Sequence, residues 1–170
     1  MNRKRGIMDA TTKEPAALVA VVSTMLIVGA LAFQAAGYAA CELCMWQRWA
    51  HVAAAAFAST ALILPHGPGR SALGAAILGI AASGMIGGFH AGVEWKLWEG
   101  LATCSARMSS GSGDVLMDIM RAPLVRCDEA AWRLAGISMA GYNALISLAA
   151  AAAATTWAVR GSMRARQTAQ

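Results

Sequence analysis

The stretch PAALVAVVSTMLIVGALAFQAAGYAAC, residues 15–41, carries no charged side chain. It outruns the ~20 apolar residues that take an α-helix across a bilayer. It then runs directly into ELCMWQR, residues 42–48. A spanning helix that ends on a Cys-x-x-Cys pair, Cys41 and Cys44, sets two thiols at a membrane surface.

The same pattern extends along the chain. Ser71–Val93 and Leu134–Val159 are also uncharged and long enough to span. A fourth stretch, Trp49–Gly69, loses apolar length to the turn Pro65-His66-Gly67-Pro68-Gly69. It reaches spanning length only if its helix starts near Leu43, which sets Arg48 inside the first turns. The chain is 58% hydrophobic and 14% charged, whereas soluble domains carry about a quarter charged residues. The expectation is all-α: one integral membrane domain over residues 1–170, a four-helix bundle. Its spans fall at about 16–38, 44–64, 71–93 and 134–159, with outer loops at about 39–45 and 94–133. The first apolar run is too long for the h-region of a cleaved signal and lacks a clear cleavage site, so it reads as a retained anchor.

Charge sets the orientation. Arg3, Lys4, Arg5, Lys13, Arg70, Arg160, Arg164 and Arg166 lie on one side, against only Asp9 and Glu14. The other side carries Arg48, Lys96, Arg107, Arg121, Arg126 and Arg133, roughly balanced by acidic residues. The positive-inside rule then predicts both termini in the cytoplasm. The net charge of +5 flanks spans rather than forming one basic face, which argues against nucleic acid. All four cysteines, Cys41, Cys44, Cys104 and Cys127, fall in outer loops, and an even count in an oxidising compartment favours disulfides.

Other features read as scaffolding. Residues 1–14 are expected to be a polar, mobile tail. Tyr38, Trp46, Trp49, Trp95, Trp98, Trp132 and Trp157 cluster at span ends as an interfacial belt. Ala75, Gly79, Ser83 and Gly87, four residues apart, form a small-residue face for close helix approach. In the second outer loop, Ser109–Gly113 reads as a hinge. Asp114 caps a short amphipathic helix bearing Val115, Leu116, Ile119 and Met120, which Pro123 ends.

A Cys-x-x-Cys pair closes easily to a disulfide and suits two-electron exchange. Cys44 falls at the start of the second helix, where the helix dipole favours a negative sulfur. Arg48, four residues on, shares its face. Taken alone, Arg48 reads equally well as a snorkelling side chain. His90 and Glu94, one turn apart near the outer end of the third span, are a further candidate pair, and His51 a weaker one. From the residues alone three readings stay open. The cysteines form a redox relay, they brace the outer loops as inert disulfides, or they bind zinc. The wide spacing of Cys104 and Cys127 and the oxidising side weigh against zinc.

Three motifs carry a resemblance: Cys41-Glu42-Leu43-Cys44-Met45-Trp46-Gln47-Arg48, Phe89-His90-Ala91-Gly92-Val93-Glu94-Trp95, and Cys104 with Cys127-Asp128-Glu129-Ala130-Ala131-Trp132. In order and spacing the chain resembles the disulfide bond formation protein B (DsbB) family of bacterial inner membranes, over about residues 16–160. The resemblance implies an enzyme that reoxidises a periplasmic DsbA-like thiol oxidase and reduces ubiquinone or menaquinone. It implies catalytic roles for all four cysteines. Cys104–Cys127 is then the disulfide attacked by the partner, with Cys104 holding the mixed disulfide. Cys127 attacks Cys41, and Cys44 is released to donate to a quinone beside Arg48, with His90 and Glu94 near that site. No metal is implied.

Overall fold

The computed structural model describes residues 2–101 and 126–167. Cys104, the Ser109–Gly113 hinge and the amphipathic segment that follows it lie outside the described residues. Four helices are present among those described: α1 Asn2–Ala35, α2 Glu42–Ile63, α3 His66–Glu94 and α4 Met139–Gln167. They close a ring in which each packs on the next and α4 returns to α1, with a lesser diagonal contact between α1 and α3.

Three helices, α1 (over Thr11–Ala35), α3 and α4, are long and apolar enough to cross a membrane. α2 has 22 residues, about 33 Å of helix, but its first turns carry Glu42, Gln47, Arg48 and His51. The packing agrees with a lipid surround. The interior is built from Ala54, Ala58, Ala76, Ala150 and Ala154 around Val19 and Ile80. The large apolar side chains face out: Met25 is 70% exposed and Leu78 73%. That is the reverse of a water-soluble core and is what close packing of helices in lipid produces. The expected small-residue face does this work at two levels. A Cβ on Gly79 would meet Ala54 of α2 at 3.1 Å, and one on Gly87 would meet the Ala140 carbonyl of α4 at 2.9 Å.

Helix ends follow local chemistry. α1 closes on Gly37, at φ +97°, with the Tyr38 amide bonded to the Phe33 carbonyl at 3.1 Å, the six-to-one bond of a glycine-terminated helix. α2 is capped by a thiol: Cys41 is extended and its sulfur accepts from the Cys44 amide at 3.4 Å.

Two expectations are corrected. Residues 2–14 are not a loose tail but the first turns of α1. Thr12 is buried, and its hydroxyl lies 3.1 Å from His66 Nδ1, so this end is docked on the start of α3. The fourth helix starts at Met139 rather than Leu134, because Arg133–Leu134 and Ile137–Ser138 pair as a small antiparallel hairpin. Ala135 and Gly136 both take positive φ, the signature of a two-residue hairpin turn. Ser138 then caps α4, accepting from the Gly141 amide at 3.2 Å.

Candidate functional site

The outer end of the bundle brings together three of the four predicted cysteines. Cys41 and Cys44 carry free thiols, and Cys127 is disulfide-bonded. The Cys41 thiol donates to the Cys44 sulfur at 3.0 Å. That bond, with burial second, pushes the Cys41 pKa far up, so Cys41 holds the proton of the pair. Cys41 and Cys127 are buried together with Leu43. Their sulfurs and a ring nitrogen of His90 all lie within 4.8 Å of one another. These are ligand types that metals use, but a disulfide-bonded Cys127 offers no thiolate. A better account is chemical contact: two cysteines from different loops within reach of thiol–disulfide exchange.

His90 sits behind the thiols. Its Nε2 is 3.6 Å from Cys41 Sγ and 3.6 Å from Glu94 Oε1. Its Nδ1 is 3.1 Å from Gln47 Nε2. Gln47 Nε2 also donates to the Leu43 carbonyl at 3.0 Å, which can only accept, so the orientation of the Gln47 amide is fixed. An amide N–H therefore faces His90 Nδ1, and in the neutral ring the proton is on Nε2, toward Cys41 and Glu94.

The network continues inward. Asn143 Nδ2 donates to Gln47 Oε1 at 2.8 Å and to the Ser83 carbonyl at 3.2 Å. Asn143 Oδ1 accepts from His51 Nε2 at 2.8 Å and from Ser147 Oγ at 3.0 Å. Sequence reasoning passed over Asn143 and Ser147, read Ser83 only as a small residue for close helix approach, and read Gln47 only as part of a motif. A signal was available: a carboxamide inside a span is expensive unless bonded across helices.

Beside the dithiol, a largely apolar cavity of about 310 Å³ opens between α1, the first turns of α2 and the outer end of α4. Cys44, Gln47, Arg48, His51 and Asn143 line it, and Cys41, His90 and Glu94 do not. Of the three predicted cofactor-site residues, Arg48 lines the cavity and His90 and Glu94 do not; His90 stands behind the wall, against Gln47 and Cys41. Arg48 reaches to α1, donating to Gln34 Oε1 and to the Ala30 carbonyl, while its buried Nε has no hydrogen-bond partner. Over the cavity, Trp132 lies between Phe33 (ring centroids 5.1 Å) and Tyr142 (6.4 Å), its ring tilted against both. Trp132 is therefore half-buried, unlike Trp46, Trp49, Trp95, Trp98 and Trp157, which stay exposed as interfacial residues do. On the other flank, Asp128 pairs with Lys96 at 2.6 Å and Arg126 at 2.8 Å, tying the segment that bears Cys127 to the end of α3.

A dithiol at the end of a membrane helical bundle, within contact of a disulfide-bonded cysteine from another loop, defines a membrane protein of thiol–disulfide exchange. The chain belongs to the disulfide bond formation protein DsbB family, whose sequence model matches residues 12–157. Neither the curated proteins nor the solved structures return a match.

Proposed function

We propose that this protein is a quinone-dependent protein-disulfide oxidoreductase of a bacterial inner membrane. It takes electrons from a periplasmic DsbA-type dithiol oxidase. The observation that carries this reading is the position of Cys44. It contacts the Cys41 thiol on one side and lines an apolar cavity on the other.

Electron entry falls to Cys104 and Cys127. A partner thiolate attacks Cys104, forming a mixed disulfide and releasing Cys127. The partner's second thiol resolves that disulfide, so two electrons and two protons have entered. Cys127 then attacks a Cys41–Cys44 disulfide at Cys41, with Cys44 as leaving thiolate, and Cys104 closes again on Cys127. His90, with its Nε2 proton turned toward Cys41, stands where it can donate to the thiolate that Cys41 becomes when Cys104 closes on Cys127.

A quinone fits the residues of the cavity. The walls are mainly apolar, the volume suits a ring head group, and the unpartnered Arg48 Nε supplies a donor where a carbonyl oxygen needs one. Bound there, a ubiquinone or menaquinone supplies a two-electron, two-proton acceptor. DsbA-type oxidases stand at about −120 mV, so an ordinary disulfide lacks the driving force to oxidise them and an external acceptor is needed. Both termini on the cytoplasmic side, as the basic flanks favour, set all four cysteines on the periplasmic side.

The test is turnover by the purified protein with reduced DsbA and soluble ubiquinone or menaquinone analogues, followed by loss of quinone absorbance. Wild-type protein is expected to turn over, Cys44→Ser to be inactive, and Cys104→Ser to accept no electrons from DsbA. Absence of turnover with every analogue, together with disulfides inert to a soluble dithiol, would leave structural braces as the answer.

A further inference from the structure

His51 is 3% exposed, forms part of the cavity wall, and has a buried Nδ1 with no hydrogen-bond partner. An unmet polar atom in an apolar wall is costly and marks a place where a ligand atom completes the bonding.

The tautomer of this ring follows from its neighbours. The Ser83 carbonyl can only accept, and Asn143 Nδ2 lies 3.2 Å from it. Gln47 Oε1, whose own amide is fixed by the Leu43 carbonyl, accepts from the same Nδ2 at 2.8 Å. Asn143 therefore turns its oxygen to His51, and His51 Nε2 at 2.8 Å is the donor. Ser147, donating to that same oxygen at 3.0 Å, holds it from the other side. With the proton on Nε2, the neutral ring presents a bare lone pair at Nδ1. The wall carries the Arg48 guanidinium and no acidic side chain, a setting that suits a neutral ring.

We infer that His51, held by Asn143 in the Nε2–H tautomer, is a ligand-binding residue that recognises the reduced, hydroxyl-bearing form of a quinone in this cavity in preference to the oxidised form. The inference rests on the proposed quinone reading. A hydroxyl can donate to the bare Nδ1, and a carbonyl oxygen cannot. Arg48 Nε, a donor only, accepts no such distinction and can serve an oxygen in either state. The two residues are three positions apart and share one helix face. The site thus combines one donor that holds the ring in both forms with one acceptor that favours the product of electron transfer.

The experiment is a binding measurement. The background is Cys41→Ser in the full-length chain, where Cys44 has no partner for a disulfide and neither form is turned over. Decyl-ubiquinone and decyl-ubiquinol are titrated separately and followed by tryptophan quenching. With His51 present, both should bind. His51→Phe, which keeps the ring shape, should weaken the quinol about tenfold, the worth of one hydrogen bond, and leave the quinone within about twofold. His51→Gln guards against misfolding of the phenylalanine variant: its amide can donate or accept, so it should bind both forms and lose the preference. Equal weakening of both forms by His51→Phe, or a preference retained by both variants, would overturn the inference. Failure of both analogues to bind with His51 intact would instead overturn the quinone reading itself.

Discussion

Replacing Asn143 by leucine keeps the volume of the side chain and removes its polarity. The amide joins α4 to α2 and α3 through bonds to Gln47 Oε1 (2.8 Å), the Ser83 carbonyl and hydroxyl (3.2 Å each), His51 Nε2 (2.8 Å) and Ser147 Oγ (3.0 Å). Two of these partners have poor substitutes once it is gone. Gln47 Oε1 loses its donor, and His51 Nε2–H keeps only a long contact to Ser147 Oγ at 3.5 Å. The serine hydroxyls can rotate to other acceptors. Two stranded buried groups at about 1–3 kcal/mol each would cost about 2–6 kcal/mol in a water-soluble protein. Cross-helix hydrogen bonds in membranes average only about 0.6 kcal/mol, because the unfolded chain in lipid finds partners too. Weighing both, Asn143→Leu should destabilise the bundle by about 2–3 kcal/mol in reversible unfolding from mixed micelles. Ser147→Ala, which removes one bond from an oxygen that keeps another donor, should cost less than about 1 kcal/mol. If Asn143→Leu fell within about 0.5 kcal/mol of wild type, the claim that this network ties the helices together would be refuted.

Three further outcomes are expected. Arg48→Ala should lower quinone reduction at least tenfold while the mixed disulfide with DsbA still forms, as trapping with a reduced DsbA variant that lacks its second, resolving thiol would show; equal loss of both steps would remove Arg48 from the cavity's role. Gly87→Ala should destabilise by about 1–3 kcal/mol, since its Cβ would fall 2.9 Å from the Ala140 carbonyl and 3.0 Å from Asn143 Nδ2, whereas Gly74→Ala, with nothing within 4 Å, should be neutral or stabilising; thermal unfolding in detergent compares them. Arg126 and Lys96 hold the Asp128 carboxylate well below the usual range, so its pairing is in place above the ordinary carboxylate pKa and is lost only as pH falls through the depressed folded value. Protease cutting near residue 128 should therefore be constant from about pH 5 upward, be faster in Asp128→Asn, and lose that difference in about 1 M salt, where screening is nearly complete.

The helices were legible because lipid imposes a simple rule: long uncharged stretches must be helical to satisfy their backbone. The dithiol and Arg48 were legible because both sit on one short motif at a span edge. The ends were less so. A polar sequence at residues 2–14 looked like a tail because its anchor is a long-range bond from Thr12 to His66. The hairpin before α4 hid inside an apolar run, with Ala135-Gly136 a weaker turn signal than asparagine-glycine. His90 and Glu94 were grouped with Arg48 through the family resemblance; they do not line the cavity, and His90 meets its wall through Gln47. Which side of a helix a residue serves depends on helix rotation, and four all-apolar helices leave little periodic signal to fix it. Asn143 drew no notice because its partners come from α2 and α3, far away in sequence.

The fixed amides of Gln47 and Asn143 have a consequence for the membrane as an insulator. The line from His90 through Gln47 and Asn143 to His51 resembles a wire from the outer surface into the bundle. A carboxamide donates and accepts hydrogen bonds, but it does not take up a proton on one side and release it on the other without turning over. Both amides are pinned against turning by backbone carbonyls, those of Leu43 and Ser83. Protons set free at the cysteines therefore have no relay inward along this line. Thiol–disulfide chemistry at the outer rim would thus leave this line through the bundle closed to protons.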